Sequence, residues 1–354
     1  MNRTYKIMLA LVAGIMMFTA CDKDYIIKND NEQNPSALKP MTFTASMEGT
    51  GGTSRATIDG LDIKWAEGDK ISIFDGSTEN DGNQAFTLTS GVGTTSGTFK
   101  GSAAETDMYY AIYPYAAPRK EHRIPTDEDI RAAFGDNESF MSKLLMYKGG
   151  NNWRDDTYFC ETIQYLLSDD KRALALAYLN NLPMQIKVRV QLNASNQLER
   201  VTFPAEQTVT AGQSVCPNAM LMMARSADAG TLQFKNVCAY VKLTPAFDCT
   251  AISIESNDTQ MMSGTVTVDY NSGAPTVRVT EDGTNTVTLS GNIAANATYY
   301  IAVLPATLIN GFTLTFKTPD GNYEKNTDKT LTLIRNHVTD LGVFTKTDLT
   351  ISRR

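Results

Sequence analysis

Apolar and polar positions alternate along most of this chain. In MTFTASM, Met41, Phe43, Ala45 and Met47 fall on one side, and Thr42, Thr44 and Ser46 on the other. KISIF, AFTLTS, TVTVDY, TVRVT, TVTLS, FTLTFK and KTLTLI repeat the device. Period-two alternation marks a strand with one wet face. Clusters of Gly, Asn and Asp such as DGSTENDGN, NSGA and TPDGN supply the turns. Many short strands with close turns predict a mainly β chain of antiparallel sandwiches, not a parallel sheet.

Residues 119–182 break this pattern and read as helical. TDEDIRAAFG offers Thr126 or Asp127 as an N-cap and Gly135 as the stop. NESFMSKLLMYKGG sets Phe140, Met141, Leu144 and Leu145 on one face, and DDTYFCETIQYLLSDD does the same with Phe159, Ile163, Leu166 and Leu167. DKRALALAYLNNLP is a fourth segment, closed by Pro183. Alternation returns in QIKVRVQL, where Ile186, Val188, Val190 and Leu192 face away from Lys187, Arg189 and Gln191. The block reads as an insertion into a β domain. Scaffold is favoured over a recognition surface, because loops tolerate long insertions. The small, polar stretch ARSADAGT then marks a domain boundary. The expected order is an N-terminal sandwich over 41–228, a C-terminal sandwich over 229–346 and a short tail, 347–354. A chain of 354 residues can bury two cores.

The N-terminus changes the picture. Arg3 and Lys6 precede the apolar run IMLALVAGIMMF, and Thr19–Ala20 precede Cys21. A run of about twelve residues fits a secretory signal and is too short to span a bilayer. Residues 1–20 are therefore expected to be a signal peptide. The small pair before Cys21 resembles a bacterial lipobox, with Phe18 where leucine is usual, so Cys21 is the expected lipidation site. Residues 21–40, poor in apolar side chains and holding two prolines, read as a flexible tether. The DKD after Cys21 looks like the export signal of Bacteroidetes surface lipoproteins. The net charge of −7 lacks the footprint of a nucleic-acid binder.

Candidate chemistry is sparse. His122 and His337 are the two histidines, and both read as surface groups. No nucleophile elbow, H-E-x-x-H pair, P-loop or dinucleotide fingerprint occurs. Asp75, Glu79 and Asp81 could offer oxygens to calcium, but their spacing misses the EF-hand and a β-turn explains them equally. No metal or cofactor is expected, and the chain is not read as an enzyme; a hydrolase with dispersed carboxylates has no positive residue behind it. Cys160, Cys216, Cys238 and Cys249 fit no zinc or redox spacing, and most read as small buried apolar residues. Tyr109, Tyr113, Tyr115 and Trp153 could stack on sugars, although YYAIYPY reads better as a core strand.

Seven segments then point to a family. IKWAEGDKISIFDG, GTFKG, MYYAIYPY, FPAEQTVTAGQSVCPNAMLMMA, LQFKNVCAYVKL, YYIAVLPATLINGFTLTFKTPDG and LIRNHVTDLG resemble, in their order, the fimbrillin-like lipoproteins of Bacteroidales, the type V pilins and their Mfa-like relatives. The likeness runs from about 41 to 344, and the helical block departs from it. The resemblance implies two tandem antiparallel β-sandwich (transthyretin-like) domains, outer-membrane export as a surface lipoprotein, and a place in a fimbrium. For polymerising members it also implies cleavage after an arginine by a trypsin-like maturation protease.

That expectation gives meaning to GTGGTSRATIDG. Arg55 and Ala56 lie on a Gly/Thr/Ser connector, where proteolysis concentrates. Cleavage there would make Met41–Met47 a displaceable strand. Its loss would open a groove for β-strand addition by another subunit. In the tail, Leu349 and Ile351 are a candidate donor with only two apolar teeth, which favours an anchor, tip or minor subunit. The alternative is a monomeric surface lipoprotein that binds a glycan or host ligand.

Overall fold

The computed structural model describes residues 25–26, 38–48, 57–58, 61–77, 82–135, 138–228, 230–271 and 273–352. Two compact units emerge. One is Pro118–Val188, joined by the two-residue strand Tyr25–Ile26; the other is built from Glu32–Ala117 and Arg189–Arg354. The chain is mainly β, as its alternation indicates.

The β unit opens with a closed seven-stranded barrel where a sandwich was expected. Around it run Met222–Ser226, Thr231–Asn236, Lys39–Met47, Ser96–Ala103, Asn83–Ser90, Lys70–Phe74 and Tyr109–Tyr113, which pairs back to Met222–Ser226. Closing the ring removes the exposed edges that a sheet of this size would otherwise present. Its last strand, Thr231–Asn236, lies beyond the expected domain end at 228. ARSADAGT thus joins two antiparallel barrel neighbours and supplies the end of one and the start of the other, because turn-rich composition marks a hairpin as readily as a linker.

The rest of the β unit contains a six-stranded sheet in the order Glu206–Val209, Thr286–Ile293, Cys249–Ser256, Phe312–Thr318, Gly321–Thr327, Thr350–Ser352. A four-stranded sheet orders Gln191–Leu192, Gln197–Phe203, Ser263–Asp269 and Thr276–Thr284. A third sheet sets Ala239–Pro245 between Tyr299–Val303 and Val338–Phe344. Several pairings are parallel, including Lys39–Met47 with Thr231–Asn236 and Ala239–Pro245 with Val338–Phe344. This corrects the all-antiparallel expectation: alternation fixes which face a residue takes, not the direction of its neighbour. One contiguous apolar core links barrel residues such as Phe43 and Trp65 to Ile252, Leu314 and Phe316.

In the other unit, the expected helical block begins with a strand. Arg119–Arg123 pairs antiparallel with Met184–Val188, and Tyr25–Ile26 adds to the latter in parallel. Part of the expected tether is therefore in a sheet, as are Lys39 and Pro40 at the start of the first barrel strand. RKEHR is too charged to show alternation, yet the arginines serve a purpose. Arg123 donates to the buried carboxylate of Asp129 at 2.9 Å, and Asp129 also accepts from the Thr126 backbone at 2.7 Å. That second bond completes a capping box on the helix Asp127–Phe134, which stops at Gly135 with φ 63°.

The remaining helical segments are Glu138–Tyr147, the short 3-10 turn Asn152–Asp155, Thr157–Glu161 and Asp169–Leu179. With Asp127–Phe134 and the turn at Thr162–Leu166, they bury Ile130, Met141, Leu144, Trp153, Phe159, Ile163 and Tyr178 together. Leu166, expected on the buried face, is exposed. Residues Thr162–Leu166 wind as a π-helix, whose wider turn rotates position 166 off the apolar stripe. No helix among the described residues is long and apolar enough to cross a membrane.

Candidate functional site

The strand Lys39–Met47 lies inside the barrel wall with a partner on each flank. Ser96–Ala103 runs antiparallel along nearly all of it, from Lys39 opposite Ala103 to Ser46 opposite Ser96. Thr231–Asn236 covers only the second half, from Thr44 opposite Thr231 to Met47 opposite Phe234. Thr44 also donates its N–H to Gly230 O at 2.8 Å, and Met47 to Thr95 O at 3.1 Å.

Side chains follow the alternation. Phe43 and Ala45 are fully buried, Met41 and Met47 are half-buried against the core, and Thr42 and Thr44 are exposed. The Phe43 ring meets Phe86 and Tyr109 edge to face, each at 5.3 Å. Tyr109 also directs its hydroxyl at the Met41 sulfur, 3.7 Å away. Opposite Met41 sits Gly101, where a Cβ would lie 2.7 Å from both the Ala85 carbonyl oxygen and the Phe86 ring. Glycine there leaves room for the Phe86 ring, which reaches Phe43.

Glu48 ends the strand and is the feature that the periodicity does not reveal. Its carboxylate takes two bonds from Arg335, at 2.6 and 3.1 Å. The two residues are 287 positions apart. Only a fold brings them together.

The other expected site residues divide into placed and unplaced. Cys21, Arg55 and Ala56 lie outside the described residues, as do Glu79 and Asp81. Asp75 is buried and accepts from the N–H groups of Ser77 at 2.9 Å and Ala104 at 2.6 Å. It therefore fixes a turn in the barrel. No group of three or more potential metal ligands occurs among the described residues. The candidate donor is docked on its own chain: Thr350–Ser352 pairs with the edge of Gly321–Thr327, placing Ile351 opposite Tyr323. Leu349 packs against the core while Ile351 stays exposed.

Sugar stacking loses three of its four candidates, and the fourth, Tyr115, is half-buried. Tyr109, Tyr113 and Trp153 are all buried. Burial raises the Tyr113 hydroxyl well above the ordinary range, and its donated bond to Asp69 at 3.1 Å adds to this. Of the cysteines, Cys216, Cys238 and Cys249 are buried and unpaired, as expected, and Cys160 is half-buried. Burial pushes the Cys238 thiol up to about 11, so it is inert. His122 and His337 are exposed.

No protein-family model matches this chain, and no curated protein matches it. Solved structures similar to it include a candidate cell adhesion protein from Bacteroides ovatus, at 10% identity and TM-score 0.41, covering 89% of this chain and 96% of that one. A candidate cell adhesion protein from Bacteroides uniformis shows 14% identity and TM-score 0.41, with 88% and 95% covered. A fimbrial protein from Bacteroides ovatus shows 12% identity and TM-score 0.31, covering 87% of this chain and 50% of that one.

Proposed function

We propose that this chain is a fimbrial subunit, exported as a lipoprotein on Cys21 and held at the outer membrane until assembly. Assembly begins when an arginine-specific protease cuts between Arg55 and Ala56. The freed strand Met41–Met47 then gives way to a strand from another subunit, so its partners are other fimbrial subunits. A role in cell adhesion follows from membership of such a fibre.

One observation carries the reading. The strand that lies upstream of the Gly/Thr/Ser connector is built into the barrel wall, with Phe43 and Ala45 fully buried. After a cut in the connector, covalent continuity no longer holds this strand; only its ladder bonds and side chains do. A replacement must supply both backbone pairing and small-and-large apolar teeth, which is what strand addition provides. In the tail, Leu349 and Ile351 rest against the chain's own sheet, which favours an anchor, tip or minor component.

Mild trypsin treatment of cells that also carry the other fimbrial subunits, followed by unboiled gel electrophoresis, tests the reading. A ladder of oligomers is expected from the natural chain, and none from Arg55→Ala. Protein that is fully cut at Arg55 and stays monomeric would overturn it.

A further inference from the structure

Glu48 belongs to the segment upstream of Arg55, but everything that holds its carboxylate lies downstream. Arg335 contributes both terminal nitrogens, and its Nη1 also donates to the Asn236 carbonyl at 2.7 Å. The Asn236 N–H donates to Glu48 Oε2 at 3.1 Å. The Glu48 N–H completes the junction by donating to Phe234 O at 2.7 Å. The side chains of Arg335 and Glu48 are only 23% and 21% exposed.

The receiving groups are themselves held in place. Asn236 is buried; its side-chain amide donates to Asn336 Oδ1 at 2.6 Å and its Oδ1 accepts from the Tyr240 hydroxyl at 3.3 Å. Asn336 donates its own N–H to Cys238 O at 2.9 Å. A guanidinium and an amide N–H thus converge on one point at the end of the groove, on a pre-set frame. This is the fork geometry that matches a carboxylate.

Departure of the resident strand would strip Arg335 of its partner in a mostly desolvated place, which is costly. An incoming strand with an acid at this position restores the pair. One with a neutral or basic side chain does not. We propose that Arg335 and the Asn236 backbone form a carboxylate receptor at the end of the strand-exchange groove. It retains the resident strand through Glu48 and selects an incoming strand that carries Asp or Glu one residue beyond its last inward side chain. The chain's own tail lacks that feature: with Ile351 in the place of Met47, Ser352 meets the receptor, and with Leu349 there, Thr350 does. Residues 349–352 of a second copy are therefore a poor match to the receptor. This inference rests on the strand-exchange reading above.

The test uses full-length protein cut at Arg55 and two fluorescent peptides. One is residues 39–48, KPMTFTASME, with its C-terminus amidated so that Glu48 is its one carboxylate; the other, also amidated, carries Glu48→Gln. Changing the peptide leaves the protein untouched, so misfolding cannot explain a difference. The Glu peptide should dissociate about tenfold more slowly, as charge-assisted bonds of this kind imply. The difference should vanish on Arg335→Ala and shrink on Arg335→Lys. Equal dissociation of both peptides from the natural protein overturns the receptor. Entry of neither peptide sinks strand exchange, and the receptor is then judged in the uncut chain. There Glu48→Gln should speed amide hydrogen exchange at Ala45–Met47 about tenfold; unchanged protection overturns the receptor too.

Discussion

Phe43→Ala probes the resident strand most sharply. Phe43 is fully buried and touches two aromatic rings at 5.3 Å. Truncating such a residue costs about 3–5 kcal/mol, through lost transfer energy and a cavity. Each edge-to-face pair accounts for about 0.5–1.5 kcal/mol of aromatic preference. In the uncut chain this loss lowers the denaturant midpoint of the β unit. In the chain cut at Arg55 the same loss falls on retention of the N-terminal fragment. At about 1.4 kcal/mol per tenfold, the fragment should dissociate roughly 140- to 4000-fold faster. Gel filtration with mass spectrometry of the retained fragment reads this directly. Thr42→Ala, on the exposed face, is the control and should change dissociation little. Equal dissociation from Phe43→Ala and Thr42→Ala would refute the claim that burial of this strand holds it after cleavage.

Three further outcomes follow from the geometry. Gly101→Ala should lose about 1–3 kcal/mol in urea unfolding, because its methyl would press on the Ala85 carbonyl and the Phe86 ring; unchanged stability contradicts the close approach. Asp75→Ala should cost about 1–3 kcal/mol, seen as a lower Tm, since the N–H groups of Ser77 and Ala104 lose their acceptor. In the helical unit, burial acts to raise the Glu121 carboxyl, but ion pairs from Arg119 and Arg123 outweigh it and leave it below its ordinary 4.5. Its contribution is therefore fully present above that pH and is lost as pH falls through the lower folded value. Near-ultraviolet circular dichroism, which senses buried Trp153, should show an acid transition that weakens in Glu121→Gln.

The faces of the strands were legible from alternation alone, because side chains on a pleated strand have period two. Phe43 and Ala45 point inward and Thr42 and Thr44 outward as MTFTASM implies. Thr126 and Gly135 bound their helix for the same local reasons that made them visible. Partner choice was not legible. Thr231–Asn236 joins the first barrel strand in parallel across more than half the length of the chain, and no local pattern encodes that pairing. RKEHR forms a strand because Met184–Val188 supplies its ladder, despite a composition that suits a solvated face. Arg335 stood within a recognised stretch, LIRNHVTDLG, yet its link to Glu48 exists only in three dimensions. Trp153 and Tyr113 show the converse: aromatic side chains that composition leaves free for ligands are consumed by packing.

Mass spectrometry of detergent-resistant oligomers recovered from the cell surface tests the central claim most directly. Subunits within them should begin at Ala56, with the fragment that carries Met41–Met47 gone from the fibre. Oligomers whose subunits all retain residues 39–48 would contradict exchange of this strand.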